Sequence, residues 1–369
     1  MRSNAVSIKA NRTRVLVYGY LNLNLGDDLF FRTLAERYPS VDFYVFSDVD
    51  YDAVVRRENF HTIRRNRVNR IFAKYLPYQF SFYGFDAIVY IGGSIFIERG
   101  ESGSCTTLRN LDKLHAKFPK LPIHIIGSNY GPERTAAFRR EVERVFDFVE
   151  SVTMRDSYSH SLFAANAKVK CAADVVFGMD TSKLPVAERS GDVGVSVIDL
   201  TFRENLRQHT EWYEASTASL IESQVQSGKY VKMFAFCRGE GDTEACERIC
   251  ARLKSDTASK VKIVTYDGDI DGYLTALRSV ESLYAARFHA TILGALFGIP
   301  TVPVIYSDKT QYILDDIGWK GTTIDIRLGD AQPQNPEPYA LDADTLQRLK
   351  SSAQKQFYSL DSTLRWHPL

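Results

Sequence analysis

The stretch SLYAARFHATILGALFGIPTVPVIY, residues Ser282–Tyr306, gives the clearest indication of the fold. Its first residues, Ser282 to Arg287, predict a strand, and the small and apolar residues from His289 to Phe297 predict a helix. A glycine and a proline separate this helix from a second apolar strand, Thr301 to Tyr306. A strand, a helix and a second strand in this order are typical of a parallel sheet covered by helices, so the stretch predicts an α/β fold.

Two side chains of this stretch are placed to bind an anion. Arg287 and His289 lie at the turn from strand to helix, where free backbone N–H groups and the helix dipole favour negative charge. Lys309 follows the second strand closely. Because ligands of such sheets bind beyond the carboxyl ends of the strands, we expect these side chains to share a site. The stretch therefore predicts a pocket for a small, highly charged phosphate or carboxylate.

The same alternation of short apolar runs and amphipathic stretches extends along nearly the whole chain. A polar break at Met179–Asp192 divides it into two series. We therefore predict two Rossmann-like, doubly wound domains that face each other across a cleft, residues 12–182 and 190–330. A C-terminal segment, residues 338–369, contains a helix that we expect to pack back on the first domain.

Composition excludes several classes of protein. The 369 residues are 44% hydrophobic and 25% charged, which is usual for a soluble globular protein. A net charge of +1 argues against a nucleic acid as the main partner. The five cysteines lack a spacing suited to zinc, and we expect no essential metal. The N-terminus does not resemble a secretory signal and no apolar run approaches the roughly 18 residues of a membrane span, so we expect a cytoplasmic protein.

Six motifs together resemble the polysaccharide pyruvyl transferase family in order and spacing, and the resemblance covers roughly Val15 to Gly318. They are Asn24-Leu25-Gly26-Asp27-Asp28, Ile91-Gly92-Gly93-Ser94, Thr153-Met154-Arg155-Asp156, Ala173-Asp174-Val175-Val176-Phe177, Arg287-Phe288-His289-Ala290, and the pair Tyr306 and Lys309. The resemblance implies a glycosyltransferase-B-like arrangement of the two domains. It also implies an enzyme that transfers pyruvate from phosphoenolpyruvate to a sugar of a surface polysaccharide, such as an exopolysaccharide or capsule, as a ketal, with release of phosphate.

The resemblance assigns the donor mainly to the second domain and the acceptor to the first. Phosphoenolpyruvate carries a phosphate and a carboxylate, which planar guanidinium groups bind in pairs. Arg155, Arg287 and Lys309 are the candidates to bind it, and no further cofactor is expected. His289 is the candidate general acid, because adding an alcohol to the enol carbon requires a proton and a histidine titrates near neutral pH. Purely structural explanations remain open: Arg155 could form a salt bridge with Asp156, and Lys309 could be a solvated surface lysine.

The acceptor side has two candidate catalytic carboxylates, Asp27 and Asp28. Either could accept the proton of the acceptor hydroxyl, and either could instead be the N-cap of the helix that follows. Gly92 and Gly93, in the second motif, could mark only a tight turn at which another group approaches the backbone closely. The remaining candidates for substrate binding are Asn22, Asn24, Gly92 and Gly93.

The segment Arg56–Lys74 has seven cations and one acid, Glu58, and an aromatic cluster follows it. It is either a solvated basic face or a docking surface for an anionic membrane or for the diphosphate of a lipid-linked oligosaccharide acceptor. Two further functions fit the same architecture. One is a nucleotide-sugar glycosyltransferase, and the other is a non-catalytic anion-binding module.

Overall fold

A computed structural model of the chain describes residues 12–64, 84–99, 105–329 and 336–366. Within these residues the chain forms two parallel sheets covered by helices, as the sequence predicts. No described helix is both long enough and apolar enough to cross a bilayer. Of the basic segment Arg56–Lys74, only residues 56–64 are described. Their arginines pair with acidic side chains: Arg56 with Asp269, Arg57 with Glu36 and Arg64 with Asp50.

The first sheet has seven parallel strands among the described residues, in the spatial order β3-β2-β1-β4-β5-β6-β7. Its strands are buried on both faces at the centre, which explains their nearly continuous apolar sequences. The strands are β1 (Thr13–Tyr18), β2 (Val41–Ser47), β3 (Phe60–Arg64), β4 (Ala87–Ile91), β5 (Ile123–Ser128), β6 (Ser151–Met154) and β7 (Val169–Cys171). The helices are α1 (Leu25–Arg37), α2 (Tyr51–Val55), α3 (Thr106–Lys117), α4 (Ala136–Phe148) and α5 (Ser157–Ser161).

The second sheet repeats this topology with six parallel strands in the described residues, in the order β10-β9-β8-β11-β12-β13. Its strands are β8 (Val193–Val197), β9 (Val231–Ala235), β10 (Val261–Thr265), β11 (Ser282–Ala285), β12 (Thr301–Ile305) and β13 (Ile324–Asp325). Its helices are α6 (Thr210–Gln226), α7 (Asp242–Cys250), α8 (Ser255–Ala258), α9 (Ile270–Arg278), α10 (Phe288–Leu296) and α11 (Asp308–Ile317). The order of both sheets is that of doubly wound dinucleotide-binding folds, which confirms the predicted fold class.

Helix α1 packs between the two sheets and joins them into one hydrophobic core. A single buried cluster contains Phe31 of α1, Val45 of the first sheet and Leu283 of the second. The backbone N–H of Leu25 donates to the carbonyl oxygen of Phe236 at 3.1 Å, so the two domains are also joined directly at the start of α1. The two domains are therefore in contact at this end of the predicted cleft.

The C-terminal segment packs on the first domain, as expected. It contains α12 (Ala343–Gln354) and α13 (Tyr358–Leu364). The carboxylate of Asp361 accepts hydrogen bonds from the hydroxyl of Tyr38 at 2.6 Å and from the guanidinium of Arg37 at 2.7 Å. Gln356 accepts the backbone N–H of Gly127 at 2.9 Å. These contacts attach the end of the chain to α1 and to β5.

Replacing Asp361 with alanine should destabilise the protein, because Arg37 and the Tyr38 hydroxyl lose their shared partner in a nearly buried place. We expect a loss of about 3 kcal/mol in the free energy of unfolding, measured by urea titration. Glu211→Ala is the matched control, since its ion pair with Arg252 is exposed and such pairs contribute little. Equal urea midpoints for the two variants would contradict the structural role of Asp361.

Candidate active site

A cavity of about 170 Å³ lies where the carboxyl ends of the two sheets meet. The strand order reverses beside it in both sheets, between β1 and β4 and between β8 and β11. Ligands of doubly wound folds bind at these switch points. The residues that line the cavity are Tyr20, Asn24, Asp27, Gly93, Ser94, Ile95, Ile97, Arg99, Arg155, Arg203, Phe236, Glu240, Arg287, Phe288, His289, Tyr306 and Lys309.

Arg155 follows β6 and is held by polar groups of the first domain. Its Nη1 donates to the carboxylate of Asp174 at 3.0 Å, and its Nη2 donates to the amide oxygen of Asn129 at 2.7 Å. Its guanidinium carbon lies 4.0 Å from the centre of the Phe288 ring, which belongs to the second domain. Arg155 does not pair with Asp156, because that carboxylate caps α5 by accepting the backbone N–H of Ser159 at 2.7 Å. Arg155 is therefore fixed at the wall of the cavity.

The two glycines after β4 have different functions in this wall. A Cβ on Gly93 would lie 2.4 Å from the Arg155 guanidinium, so only glycine leaves room for that side chain. Gly92 adopts a φ of +148°, which L side chains rarely adopt, and an added Cβ there would lie 3.7 Å from a carboxylate oxygen of Asp27. The close backbone approach expected at these glycines is therefore made by Arg155 at Gly93. Gly92 lies near Asp27 and does not line the cavity.

His289 lies in the first turn of α10 and its ring packs against α1. A Cβ on Gly26 would lie 1.8 Å from His289 Nδ1, so the imidazole occupies the space that a side chain would need. The Nε2 atom lies 3.8 Å from the Asp174 carboxylate and has no hydrogen-bond partner among the described residues. Burial lowers the pKa of His289, and Asp174 offsets this only in part. The lowered pKa favours the neutral imidazole near pH 7 in the free protein, and Nε2 is a buried atom without a hydrogen-bond partner among the described residues.

The two aspartates of α1 face different surroundings. Asp27 lines the cavity, whereas Asp28 is buried and accepts a hydrogen bond from the Tyr266 hydroxyl of the second domain at 2.7 Å. Burial raises the pKa of Asp27 to about 7, and Glu240 adds to this, although Arg155 and Lys309 lower it. Asp27 is thus a carboxyl group that titrates near neutral pH inside the cavity. Asp28 joins the domains and lies outside the cavity lining.

Neither aspartate is the N-cap of α1, so that alternative is wrong. The helix begins at Leu25, and its N-cap is Asn24. The Asn24 side chain accepts the backbone N–H of Gly26 at 3.1 Å while it lines the cavity. Asn22 is exposed and donates to the Tyr20 hydroxyl at 3.0 Å. Only Asn24 of these two asparagines therefore lines the cavity.

Arg287 lines the cavity, but carboxylates of the second domain surround its guanidinium. Its Nε donates to Asp242 at 2.8 Å and its Nη1 to Glu240 at 2.7 Å, while its Nη2 also binds Asp242. Asp242 in turn accepts the backbone N–H groups of Phe236 and Cys237, each at 3.0 Å. Arg287 therefore holds the loop after β9, and it can bind a donor only by sharing its present partners.

Lys309 reaches across the cavity from α11. Its Nζ donates to Ser94 of the first domain at 3.3 Å and lies 5.4 Å from the centre of the Tyr306 ring. Burial alone raises the pKa of Tyr306, but Lys309, Arg203 and Arg287 lower it more, so the net shift is downward. The three cations therefore outweigh the effect of burial at the end of the cavity near Tyr306.

Sequence reasoning missed several residues of the cavity. Asp174, Ser94 and Tyr306 lie in the quoted motifs but received no function there. Glu240 and Arg203 lie in no motif, and they bind each other beside Arg287. Burial by itself would raise the pKa of Glu240, but the positive charges of Arg287 and Arg203 lower it to about 2. The position of these two residues just after parallel strands was the one signal that could have pointed to them.

The comparison with known families agrees with this geometry. The family model described as polysaccharide pyruvyl transferase matches residues 24–308, more than three quarters of the chain. The chain belongs to the polysaccharide pyruvyl transferase family. All the motifs quoted from the sequence lie in or at the edge of this range, so the resemblance seen there is confirmed.

The chain is also similar to a protein named for amylovoran biosynthesis. The amylovoran biosynthesis protein AmsJ of Erwinia amylovora is 24% identical over 264 residues, which are 66% of this chain and 62% of AmsJ. The chain thus spans less than two thirds of that relative's length. Membership of the family and this likeness support a transferase.

Solved structures show the fold alone. The UDP-GlcNAc 2-epimerase of Neisseria meningitidis bound to UDP-GlcNAc has a TM-score of 0.57 at 10% identity, covering 95% of this chain and 100% of that one. Anabaena Alr3699/HepE in complex with UDP-glucose has a TM-score of 0.52 at 11% identity, covering 96% and 97%. These likenesses confirm the glycosyltransferase-B-type arrangement of the pyruvyl transferase family member.

The contact between Gly26 and His289 predicts a strong coupling between the two positions. Gly26→Ala should lower the melting temperature, because the new methyl group overlaps the imidazole and overpacking costs about 1 to 3 kcal/mol. In the His289→Ala background the same change should cost little, since the space is then empty. A double-mutant cycle by thermal denaturation measures this coupling. Additive effects of the two substitutions would contradict the contact.

Proposed function

We propose that the protein transfers pyruvate from phosphoenolpyruvate to a pair of hydroxyl groups on one sugar of a surface polysaccharide, forming a ketal and releasing phosphate. One observation carries this proposal. A single cavity combines cations on opposite walls, Arg155 and Lys309, with an unpartnered imidazole nitrogen on His289 and a titratable carboxyl group on Asp27. Family membership gives the reaction class that such a cavity would serve.

The donor would bind at the end of the cavity near Tyr306. The partner of Lys309 Nζ is the neutral hydroxyl of Ser94, at 3.3 Å. A phosphate or carboxylate could replace this hydroxyl, because a hydrogen bond between two charged groups is stronger. Arg155 keeps its contacts with Asp174 and Asn129 and offers the field of a fixed guanidinium. We place the phosphate or carboxylate of phosphoenolpyruvate between these two cations, beside the Nε2 atom of His289.

The reaction requires proton transfers at two places. A proton is added to C3 of phosphoenolpyruvate, one acceptor oxygen bonds to C2, the bond between C2 and the phosphate oxygen breaks, and a second acceptor oxygen then bonds to C2. The two hydroxyl protons end on C3 and on the released phosphate. Asp27 would accept the proton of an acceptor hydroxyl. His289, neutral in the free protein, would gain a proton when the anionic donor binds beside it, since a nearby negative charge raises a histidine pKa.

The acceptor would be a repeat-unit sugar, and we propose that it is carried on a lipid diphosphate. The basic segment Arg56–Lys74 remains the candidate surface for that diphosphate, and most of it lies outside the described residues. The described arginines of the segment are already paired with acids, so any docking would rest on the rest of the segment. The protein would need only transient contact with the inner membrane surface to act there.

Donor binding can be tested with Lys309. Lys309→Ala should raise the KM for phosphoenolpyruvate about 10- to 100-fold, because it removes a charge-assisted hydrogen bond to the donor. Phosphate release and the donor-induced rise in melting temperature measure this effect. Lys320→Ala, an exposed lysine just after α11, should behave as the wild type.

UDP-glucose in place of phosphoenolpyruvate tests the nucleotide-sugar alternative in the same assays. Stabilisation of the wild type by UDP-glucose and not by phosphoenolpyruvate would overturn the proposed function.

The pH profile can separate the two proton-transfer groups. Asp27 must be ionised to act as a base and His289 must be protonated to act as an acid, so kcat/KM should fall on both sides of a maximum and show a limb near pH 7 that belongs to Asp27. Asp27→Asn should lose this limb and keep the limb of the donor phosphate, which titrates near pH 6. His289→Gln should lower kcat by about 10²- to 10⁴-fold while the donor still binds. Near-normal kcat in His289→Gln would exclude the acid function of His289.

A further inference from the structure

The turn Arg238–Gly241, which follows β9, brings residues of both domains to the mouth of the cavity. A Cβ on Gly239 would lie 2.6 Å from the side-chain nitrogen of Asn22, a residue of the first domain. Gly241 has a φ of +80°, and an added Cβ there would lie 2.5 Å from the ring of Phe202. The two glycines thus allow Asn22 and Phe202 to lie against the same turn.

Two aromatic rings are exposed beside this turn. Tyr20 lines the cavity and is 38% exposed, and Phe202 is 60% exposed next to Arg203, which also lines the cavity. Asn22 donates to the Tyr20 hydroxyl at 3.0 Å and so fixes the direction of the phenol. Apolar surface that is exposed beside polar residues is a feature of ligand-binding grooves.

The position of Asp27 connects this rim with the donor end of the cavity. Tyr20 and Asp27 line the same cavity. Partial burial raises the pKa of the Tyr20 phenol, and the charges of Glu240 and Asp27 raise it further. Arg155 and Lys309 act on Asp27 as well. The carboxyl group of Asp27 therefore shares the cavity with the Tyr20 ring and with both cations.

We propose that Tyr20 and Phe202 form the platform on which the acceptor sugar ring lies, with the exposed amide of Asn22 at its polar edge. A sugar ring has an apolar face of C–H groups and a rim of hydroxyls, which matches an aromatic face flanked by an amide. A ring held there presents its hydroxyl groups toward Asp27. The assignment of this sugar as the acceptor rests on the proposed function, whereas the binding of a sugar to these rings does not.

The test measures binding of methyl glycosides of glucose, galactose and mannose to the full-length protein by saturation-transfer NMR. Tyr20→Ala and Phe202→Ala should each weaken binding of the preferred glycoside about 5- to 10-fold. Tyr20→Phe keeps the ring and should stay near the wild-type affinity. The matched control is Tyr230→Ala, a tyrosine that is 59% exposed and does not line the cavity.

Donor readouts keep the two proposals separate. The phosphoenolpyruvate-induced rise in melting temperature should be unchanged in Phe202→Ala and Tyr230→Ala, which do not change a residue of the cavity lining. Melting curves of all the variants show whether they are folded. If Phe202→Ala fails to fold, Phe202→Leu keeps the bulk without a flat ring and should show the same weakening. Equal glycoside affinity in the wild type and both alanine variants, or no binding to the wild type, would overturn the platform. Glycoside binding without any effect of phosphoenolpyruvate would leave the platform standing and overturn the proposed function.

Discussion

The burial of α1 between the two sheets is the constraint on which the rest of the structure depends. Ten of its thirteen residues are buried, so its side chains must find partners in both domains. Its first turns contact the second domain through Gly26 against His289 and Asp28 on Tyr266, and its end binds Asp361 of the C-terminal segment. Since a buried polar group without a partner is costly, these contacts fix one arrangement of the domains and hence of the cavity.

The charges of the cavity are organised in pairs that leave a few groups available. Arg155 forms an ion pair with Asp174, and Arg287 forms ion pairs with Asp242 and Glu240. These ion pairs hold both arginines in place before any ligand binds. Fixed charges in a site of low dielectric act on a ligand without reorganisation. Lys309, whose partner is a hydroxyl, and His289, whose buried Nε2 has no hydrogen-bond partner among the described residues, are then the groups without an ion pair of this kind. Binding and proton transfer thus fall to different side chains.

The central strands and most helices could be predicted because apolar runs of five or six residues alternate with amphipathic stretches. The strands β3, β7 and β13 lack such a pattern, since β3 lies in the basic segment and the others have only three and two residues. The aspartates at the start of α1 were considered as its N-cap, but Asn24 performs that function. The site residues Asp27, Arg155, His289 and Lys309 were found together because each follows a parallel strand at the same edge.

The sequence by itself determined the two doubly wound sheets and the edge at which the chemically active side chains collect. Both follow from local periodicity and from the direct connection of each strand to its loop. Only the tertiary structure decided which side chains pair. Asp27 faces the cavity while its neighbour Asp28 is buried, and Glu240 and Asp242 hold an arginine that lies 45 residues or more along the chain. Those outcomes depend on distances and burial between segments remote in sequence, and burial is also what raises the pKa of Asp27 and lowers that of His289.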